Sequence, residues 1–133
     1  MLLLDTHIWL WWLLGYGPIN NDQRKELDDM ASDKKLAVSV ISIWEIELLE
    51  RKGRIQLFPN LEKWLEIATD PHYLNIYPLN MQVIMAQRKL PKDFHPDPAD
   101  RIITATSMLA DIPLFTHDDR IINAAATQIW GKA

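Results

Sequence analysis

The sequence contains no cysteine and no long apolar run. The absence of cysteine excludes disulfides and thiolate metal sites and is compatible with a reducing cytoplasm. No apolar run reaches the roughly 18 residues that span a bilayer. The apolar N-terminus has no basic leading region and is interrupted by Asp5 and His7, which argues against a signal peptide. We therefore expect a cytoplasmic protein with no membrane segment.

Basic residues are also in the minority, with 14 Lys and Arg against 18 Asp and Glu and a formal net charge of -4. This balance argues mildly against nucleic-acid binding, because phosphate contacts need Lys and Arg. A bound cation or a local basic cluster can reverse the field at one site. Two basic groups, at 51–54 and 88–92, are typical of solvated helix ends followed by turns.

Short apolar runs alternate along the chain with segments of helical periodicity. Strands are predicted at 2–4, 36–40, 73–77 and 113–116, with a possible last strand at 129–130. Helices are predicted at 6–14, 21–32, 41–52, 60–68, 81–89, 99–110 and 118–126. This alternation predicts an α/β fold with a central, mostly parallel sheet of four to five strands flanked by helices. The length suits one domain, 1–133, in which the Pro-rich segment 90–98 is an irregular loop.

Three aspartates lie where the predicted elements meet. Asp5 follows the first strand, Asp118 lies two residues beyond the fourth, and Asp100 opens the helix that leads into the fourth strand. Ligand sites in such sheets lie beyond the carboxyl ends of the strands. Each aspartate can instead serve only to start a helix, as can Asp97 before Pro98. Convergence of these acids depends on strand order, which the sequence does not provide.

Glu45 is harder to explain as a structural residue. On a helix it neighbours Ile41, Leu48 and Leu49, so it lies on or beside the buried face. A buried, unpaired carboxylate costs several kcal/mol, so Glu45 requires a cation, hydrogen bonds or a proton. The alternative is a capping box between Ser42 and Glu45, which requires the helix to begin at Ser42.

A bound divalent cation would explain why several carboxylates gather despite their mutual repulsion. With no cysteine and scattered histidines, an all-oxygen site favours Mg²⁺ or Mn²⁺. Such a cation lowers the pKa of a bound water and neutralises charge on a leaving oxygen, so the pattern suits phosphodiester hydrolysis.

Four blocks of the sequence resemble the PIN-domain proteins, specifically the VapC-type toxins of toxin–antitoxin pairs. The blocks are LLLDTHIWLWW, SVISIWEIELL, HPDPADRIITATS and PLFTHDDRII, in the family's order and spacing. The resemblance implies a Mg²⁺- or Mn²⁺-dependent endoribonuclease, inhibited by a small VapB-like antitoxin and often homodimeric. By motif, the metal-binding and catalytic acids are Asp5, Glu45, Asp100 and Asp118.

By the same resemblance, Thr116 and Thr6 are the hydroxyl residues that help to organise the substrate site. Asp97 is interpreted as a helix cap and Asp119 as a flanking surface residue. The histidines near these acids are expected to be ordinary side chains more often than RNA contacts. The tryptophans of the apolar helices are expected in the core or at a subunit interface rather than stacked on bases.

Two other functions are compatible with parts of this pattern. The fold can act as a non-catalytic RNA- or protein-binding module with a degenerate acidic cluster, although the complete set of acids argues against this. An aspartyl-nucleophile phosphatase would use Asp5, but that chemistry generally needs a second aspartate at the position of His7.

Overall fold

In the computed structural model, which describes residues 1–131, strands and helices alternate. The strands are β1 (Leu2–Leu4), β2 (Leu36–Ser39), β3 (Leu74–Tyr77) and β4 (Leu114–Phe115). The helices are α1 (Thr6–Leu14), α2 (Asn21–Ser32), α3 (Val40–Arg51), α4 (Leu61–Ala68), α5 (Met81–Gln87), α6 (Pro98–Ala110) and α7 (Asp119–Ala124). The bounds of these eleven elements lie within two residues of the predicted ones.

The four strands form one sheet in the order β3-β2-β1-β4, and every neighbouring pair is parallel. This confirms the predicted α/β fold with a parallel sheet. Of the predicted four to five strands, the described residues form four, and the possible strand at 129–130 is reduced to one isolated parallel bridge between Ile129 and Leu114. Strand β4 is two residues long, so it offers too little backbone for a longer ladder on that side.

Apolar side chains cover both faces of the sheet, because successive strand residues point to opposite sides. Leu2 and Leu4 belong to one buried cluster, which includes Trp9 of α1. Leu3 belongs to a second cluster, which includes Ile103 of α6. Helices therefore pack on both sides, in three layers. Across residues 1–131, no helix has the length and apolar character needed to cross a bilayer.

The strand order reverses direction at β1. The chain proceeds from β1 to β2 and then β3 on one side, and it returns through α5 and α6 to place β4 on the other side of β1. Such a reversal opens a crevice at the carboxyl ends of the two strands on either side of it, β1 and β4, where ligands bind in open α/β sheets. The strand order therefore predicts a ligand site in the crevice between β1 and β4.

Several helices begin around this edge of the sheet. Asp5 caps α1, Ser39 caps α3, Asp97 caps α6 and Asp118 caps α7. Each cap side chain accepts a hydrogen bond from a backbone N–H that lacks a partner within its helix. The positive ends of these helix dipoles favour negative charge nearby.

Candidate metal centre and active site

A cavity of about 300 Å³ lies beside the carboxyl ends of β1 and β4. Its walls include all four predicted acids, Asp5, Glu45, Asp100 and Asp118, together with Asp97. The acids come from four separate parts of the chain, and the strand order brings them together. The expectation that they lie around one common space therefore agrees with the fold.

Asp5 is the most deeply buried of these acids, with 6% of its surface exposed. Its Oδ1 accepts the backbone N–H of Thr6 at 2.8 Å, and its Oδ2 accepts the hydroxyl of Thr116 at 2.6 Å. Burial raises the pKa of Asp5, although the hydrogen bonds from Thr116 and Thr6 partly oppose that rise. Asp5 is thus held in one orientation from both sides of the crevice.

Glu45 projects from α3 towards the N-terminus of α1. One of its carboxylate oxygens accepts a hydrogen bond from the hydroxyl of Thr6, which is also hydrogen-bonded to Ser42 Oγ at 2.8 Å. Burial raises the pKa of Glu45, and the nearby charge of Asp5 adds to the rise. Because the cap of α3 is Ser39, a capping box between Ser42 and Glu45 is excluded.

Asp100 lies in the first turn of α6, where Asp97 accepts its backbone N–H at 3.0 Å. Its side chain is 14% exposed. Burial raises the pKa of Asp100 to about 8, and the surrounding acids, Asp5 first and then Asp97, Glu45 and Asp118, add to the rise. Without a cation, the raised pKa of Asp100 favours the protonated form of this carboxyl at neutral pH.

Asp118 differs from the other acids because an arginine neutralises it. Its Oδ1 accepts the backbone N–H of Arg120 at 2.9 Å, and its Oδ2 lies 3.1 Å from the Arg120 guanidinium. Burial alone would raise the pKa of Asp118, but Arg120 more than offsets burial and lowers it. The same guanidinium lies 3.9 Å from Asp100, so Arg120 supplies positive charge to two of the four acids.

The two threonines hold the acids in place. Thr6 is 1% exposed and Thr116 is 4% exposed. Each hydroxyl is hydrogen-bonded to a carboxylate, Thr6 to Glu45 and Thr116 to Asp5. Thr116 also accepts the backbone N–H of Asp118 at 3.0 Å, so it connects two acids. These contacts favour a positioning role for both threonines over direct contact with a substrate.

His95 adds a nitrogen donor to the carboxylates. Its side chain is 8% exposed, and its Nε2 lies 3.5 Å from Asp100 Oδ2. Neither ring nitrogen has a hydrogen-bond partner among residues 1–131. Ligand atoms of His95, Asp100 and Asp118 all lie within 4.8 Å of one another. The donor set therefore fits a divalent cation, which would satisfy a buried imidazole and relieve repulsion between acids.

Reasoning from the sequence overlooked several residues of the site. His95 was expected to be an ordinary imidazole. Trp11 was assigned to the core or a subunit interface; it does pack against the core cluster, but it also lines the cavity with His7 and His117. One signal was present: Trp11 follows His7 by four residues, so both lie on the same side of α1. Arg120 carried no distinguishing pattern in the sequence.

The fold, and the acidic cavity where the strand order reverses, agree with a match to a protein-family model over nearly the whole chain. Residues 2–127 match the PIN domain, and the chain belongs to the PIN-domain family. Among characterised relatives, the chain is similar to Ribonuclease VapC22 of Mycobacterium tuberculosis. The two are 32% identical over 126 residues, which cover 90% of this chain and 88% of the relative.

Solved structures share the fold at lower sequence identity. VapBC2 from Rickettsia felis, crystallised with a DNA fragment from its promoter, matches with a TM-score of 0.70 and 15% identity over 96% of each chain. A toxin–antitoxin complex from Klebsiella pneumoniae matches with a TM-score of 0.65 and 19% identity, over 96% of this chain and 95% of the other. At sequence identities this low, the structural similarity shows that the fold is shared and no more.

Proposed function

We propose that the chain is a Mg²⁺- or Mn²⁺-dependent endoribonuclease and the toxin of a VapBC-like toxin–antitoxin pair. The observation that carries the proposal is the convergence of Asp5, Glu45, Asp100 and Asp118 on one cavity. Burial and mutual repulsion raise the pKa of three of these carboxyls, Asp5, Glu45 and Asp100. A set of acids that is unfavourable when all are ionised becomes favourable once a cation occupies their common space.

In this proposal, Asp5 and Asp100 are the principal cation ligands, and Glu45 and Asp118 assist directly or through water. The bound cation would supply a water of lowered pKa and neutralise the charge that develops on the leaving oxygen. Thr116 and Thr6 keep the carboxylates oriented, since each hydroxyl is hydrogen-bonded to one of them. Arg120 offers a guanidinium at the cavity wall that can pair with a phosphate.

The choice of RNA as the substrate rests on the relative named a ribonuclease, which is similar over most of both chains. The choice of a VapB-like antitoxin as partner rests on that relative and on the toxin–antitoxin complex with the same fold. We also propose a homodimer, as the resemblance to VapC toxins implies.

Replacing Asp5 or Asp100 by Asn tests the proposed chemistry. Each change removes a charged cation ligand while it keeps the shape of the side chain. RNA cleavage in Mn²⁺ should fall by at least about a hundred-fold, because even the outer partners of metal ligands are typically worth ~10–100-fold. The measurement is the rate of fragment formation from labelled RNA on denaturing gels.

Asp119→Asn is the matched control. Asp119 is exposed, lies next to Asp118 and does not line the cavity, so this variant should cut RNA at the wild-type rate. Circular dichroism should show that all three variants are folded. Full activity of Asp5→Asn or Asp100→Asn would remove that residue from the mechanism.

A non-catalytic binding module is the competing function. It predicts that the wild-type chain binds RNA without cutting it in either Mg²⁺ or Mn²⁺. It also predicts no rise in melting temperature at millimolar Mn²⁺, since a cation stabilises a protein only by binding its folded state.

A further inference from the structure

One wall of the acidic cavity is aromatic. It is formed by His7, Trp11 and His117, and we call this group the aromatic wall. The His7 and Trp11 ring centroids are 5.8 Å apart, and those of Trp11 and His117 are 5.7 Å apart with nearly perpendicular planes. The three rings therefore form one continuous surface that shares its cavity with the four carboxylates.

The aromatic wall and two of the four acids, Asp5 and Asp118, follow the same two strand ends. His7 lies two residues after Asp5 at the end of β1, and His117 immediately precedes Asp118 beyond β4. Trp11 lies one helical turn after His7 on α1. Because strand pairing fixes both ends relative to each other, the aromatic wall has a fixed position relative to Asp5 and Asp118.

Trp11 is held in place by the loop that follows α1. Gly17 packs against the indole so closely that a Cβ at this position would lie 2.3 Å from Trp11 Cγ. The φ of Gly17 is +92°, a conformation that suits glycine. Arg24 donates hydrogen bonds to the carbonyls of Trp11 at 2.9 Å and Tyr16 at 2.6 Å. This loop gives the aromatic wall a fixed position.

The charge of the chain indicates what such a wall would contribute. The net charge is -4 and the cavity is lined mainly by acids, so its side chains, apart from Arg120, offer little direct attraction to phosphates. Stacking of a base on an aromatic ring needs no opposite charge and is worth ~1–3 kcal/mol per base. The cavity volume, about 300 Å³, is at the small end of ligand sites, which suits one nucleotide rather than a duplex.

We propose that His7, Trp11 and His117 form a nucleobase subsite that stacks on one unpaired base next to the scissile phosphate. The proposal rests on the proposed ribonuclease function, because it names how that site recognises its substrate. It implies that the enzyme cuts single-stranded or looped RNA, in which a base is free to leave its stack. The phosphate beside that base then faces Asp5 and Asp100.

The test removes the base and the aromatic ring separately and together. A labelled RNA decamer that the wild-type chain cuts is synthesised with an abasic nucleotide on either side of the cut. Its dissociation constant is measured by fluorescence anisotropy in Mn²⁺, in an Asp5→Asn background that does not cleave. Loss of the stacked base should weaken binding by about 5- to 150-fold, the equivalent of ~1–3 kcal/mol.

The Trp11→Ala variant should weaken binding of the intact RNA by a similar factor and should be insensitive to the abasic change. Trp11→Phe should keep most of the base dependence. His7 and His117 are both exposed, so His7→Ala and His117→Ala test the wall without disturbing the core. Trp44→Ala is the control, because Trp44 is 51% exposed and does not line the cavity.

Two results would overturn the subsite while leaving the ribonuclease function intact. One is an abasic change that has no effect on RNA binding by the Asp5→Asn chain. The other is that each substitution in the aromatic wall weakens the binding of abasic and intact RNA equally, which would indicate contacts to the RNA backbone rather than to a base. If the wild-type chain neither cuts nor binds any RNA, the proposed function fails and the subsite fails with it.

Discussion

At the scale of single residues, the acids of this site have two roles at once. Asp5 caps α1 with Oδ1 and accepts Thr116 with Oδ2, and Asp118 caps α7 while it faces the cavity. A carboxylate has about four lone-pair positions, so a cap bond leaves room for a cation. The interpretation of these aspartates as helix caps and their interpretation as site residues are therefore both compatible with the structure.

Thr116→Val tests whether a hydroxyl positions Asp5. The change keeps the shape of the side chain and removes the hydrogen bond to Asp5 Oδ2 and the acceptor for the Asp118 N–H. Cleavage should fall by ~10–100-fold, as expected for an outer partner of a metal ligand. The measurement is the rate of RNA cleavage against Mn²⁺ concentration.

Thr116→Ser should restore most of the activity, because serine keeps the hydroxyl. Full activity of Thr116→Val would show that the hydrogen bond to Asp5 does not contribute to cleavage. Equal losses in the valine and serine variants would show that the hydroxyl alone does not account for the role of Thr116.

At the scale of elements, the start of α6 combines stability with chemistry. Asp97 caps the helix, Pro98 occupies the first turn, and Asp100 follows with its carboxyl at the cavity. Proline suits this position because its missing N–H has no partner there in any helix. As the cap, Asp97 fixes the position of Asp100, but its own negative charge also raises the pKa of Asp100.

Asp97→Ala should destabilise the protein, because the backbone N–H of Asp100 loses its acceptor. The expected cost is about 1 kcal/mol of unfolding free energy. In a chain of this length that corresponds to a fall of about 3–5 °C in melting temperature. Calorimetry of the metal-free protein is the measurement.

Asp97→Asn is the control for Asp97→Ala, since an amide oxygen caps about as well as a carboxylate. Its melting temperature should stay within about 1 °C of the wild type. Equal destabilisation by Ala and Asn would show that the charge of Asp97 matters and the cap does not.

At the scale of the whole molecule, gathering the acids makes the metal-free fold sensitive to pH. Burial and the neighbouring acids raise the pKa of Asp100 from 3.8 to about 8. Between pH 3.8 and about pH 8, the Asp100 carboxyl keeps its proton in the folded chain but has lost it in the unfolded chain. Rising pH therefore destabilises the fold across this interval, and the loss is complete above about pH 8. Asp5 and Glu45 act in the same direction.

The melting temperature of the protein in a chelator should therefore fall by several degrees between pH 5 and pH 8. Asp100→Asn cannot ionise, so its curve should be flatter and its stability at pH 8 higher than that of the wild type. Calorimetry at fixed ionic strength measures both curves. A wild-type melting temperature that rises with pH over this range would contradict the raised pKa of Asp100 in the folded chain.

Much of the molecule was predictable from local patterns. Helix α1 was predicted with its observed bounds, because apolar residues extend from Thr6 to a glycine. The start of α6 was predicted to within one residue, because Asp97 and Pro98 mark it. These signals act within a few residues of the chain. The segment 129–130 forms one isolated bridge instead of a strand. A strand also needs a partner, and its neighbour β4 is only two residues long.

The sequence by itself determined which side chains can serve as ligands and placed Asp5 and Asp118 just beyond strands, because hydrophobic period and turn residues act locally. Only the tertiary structure decided that they meet. The order β3-β2-β1-β4 puts β4 beside β1, and that pairing, made across more than 100 residues, closes the crevice. It also decided that His95 and Trp11 face the acids, since the orientation of a side chain depends on the elements that pack around it.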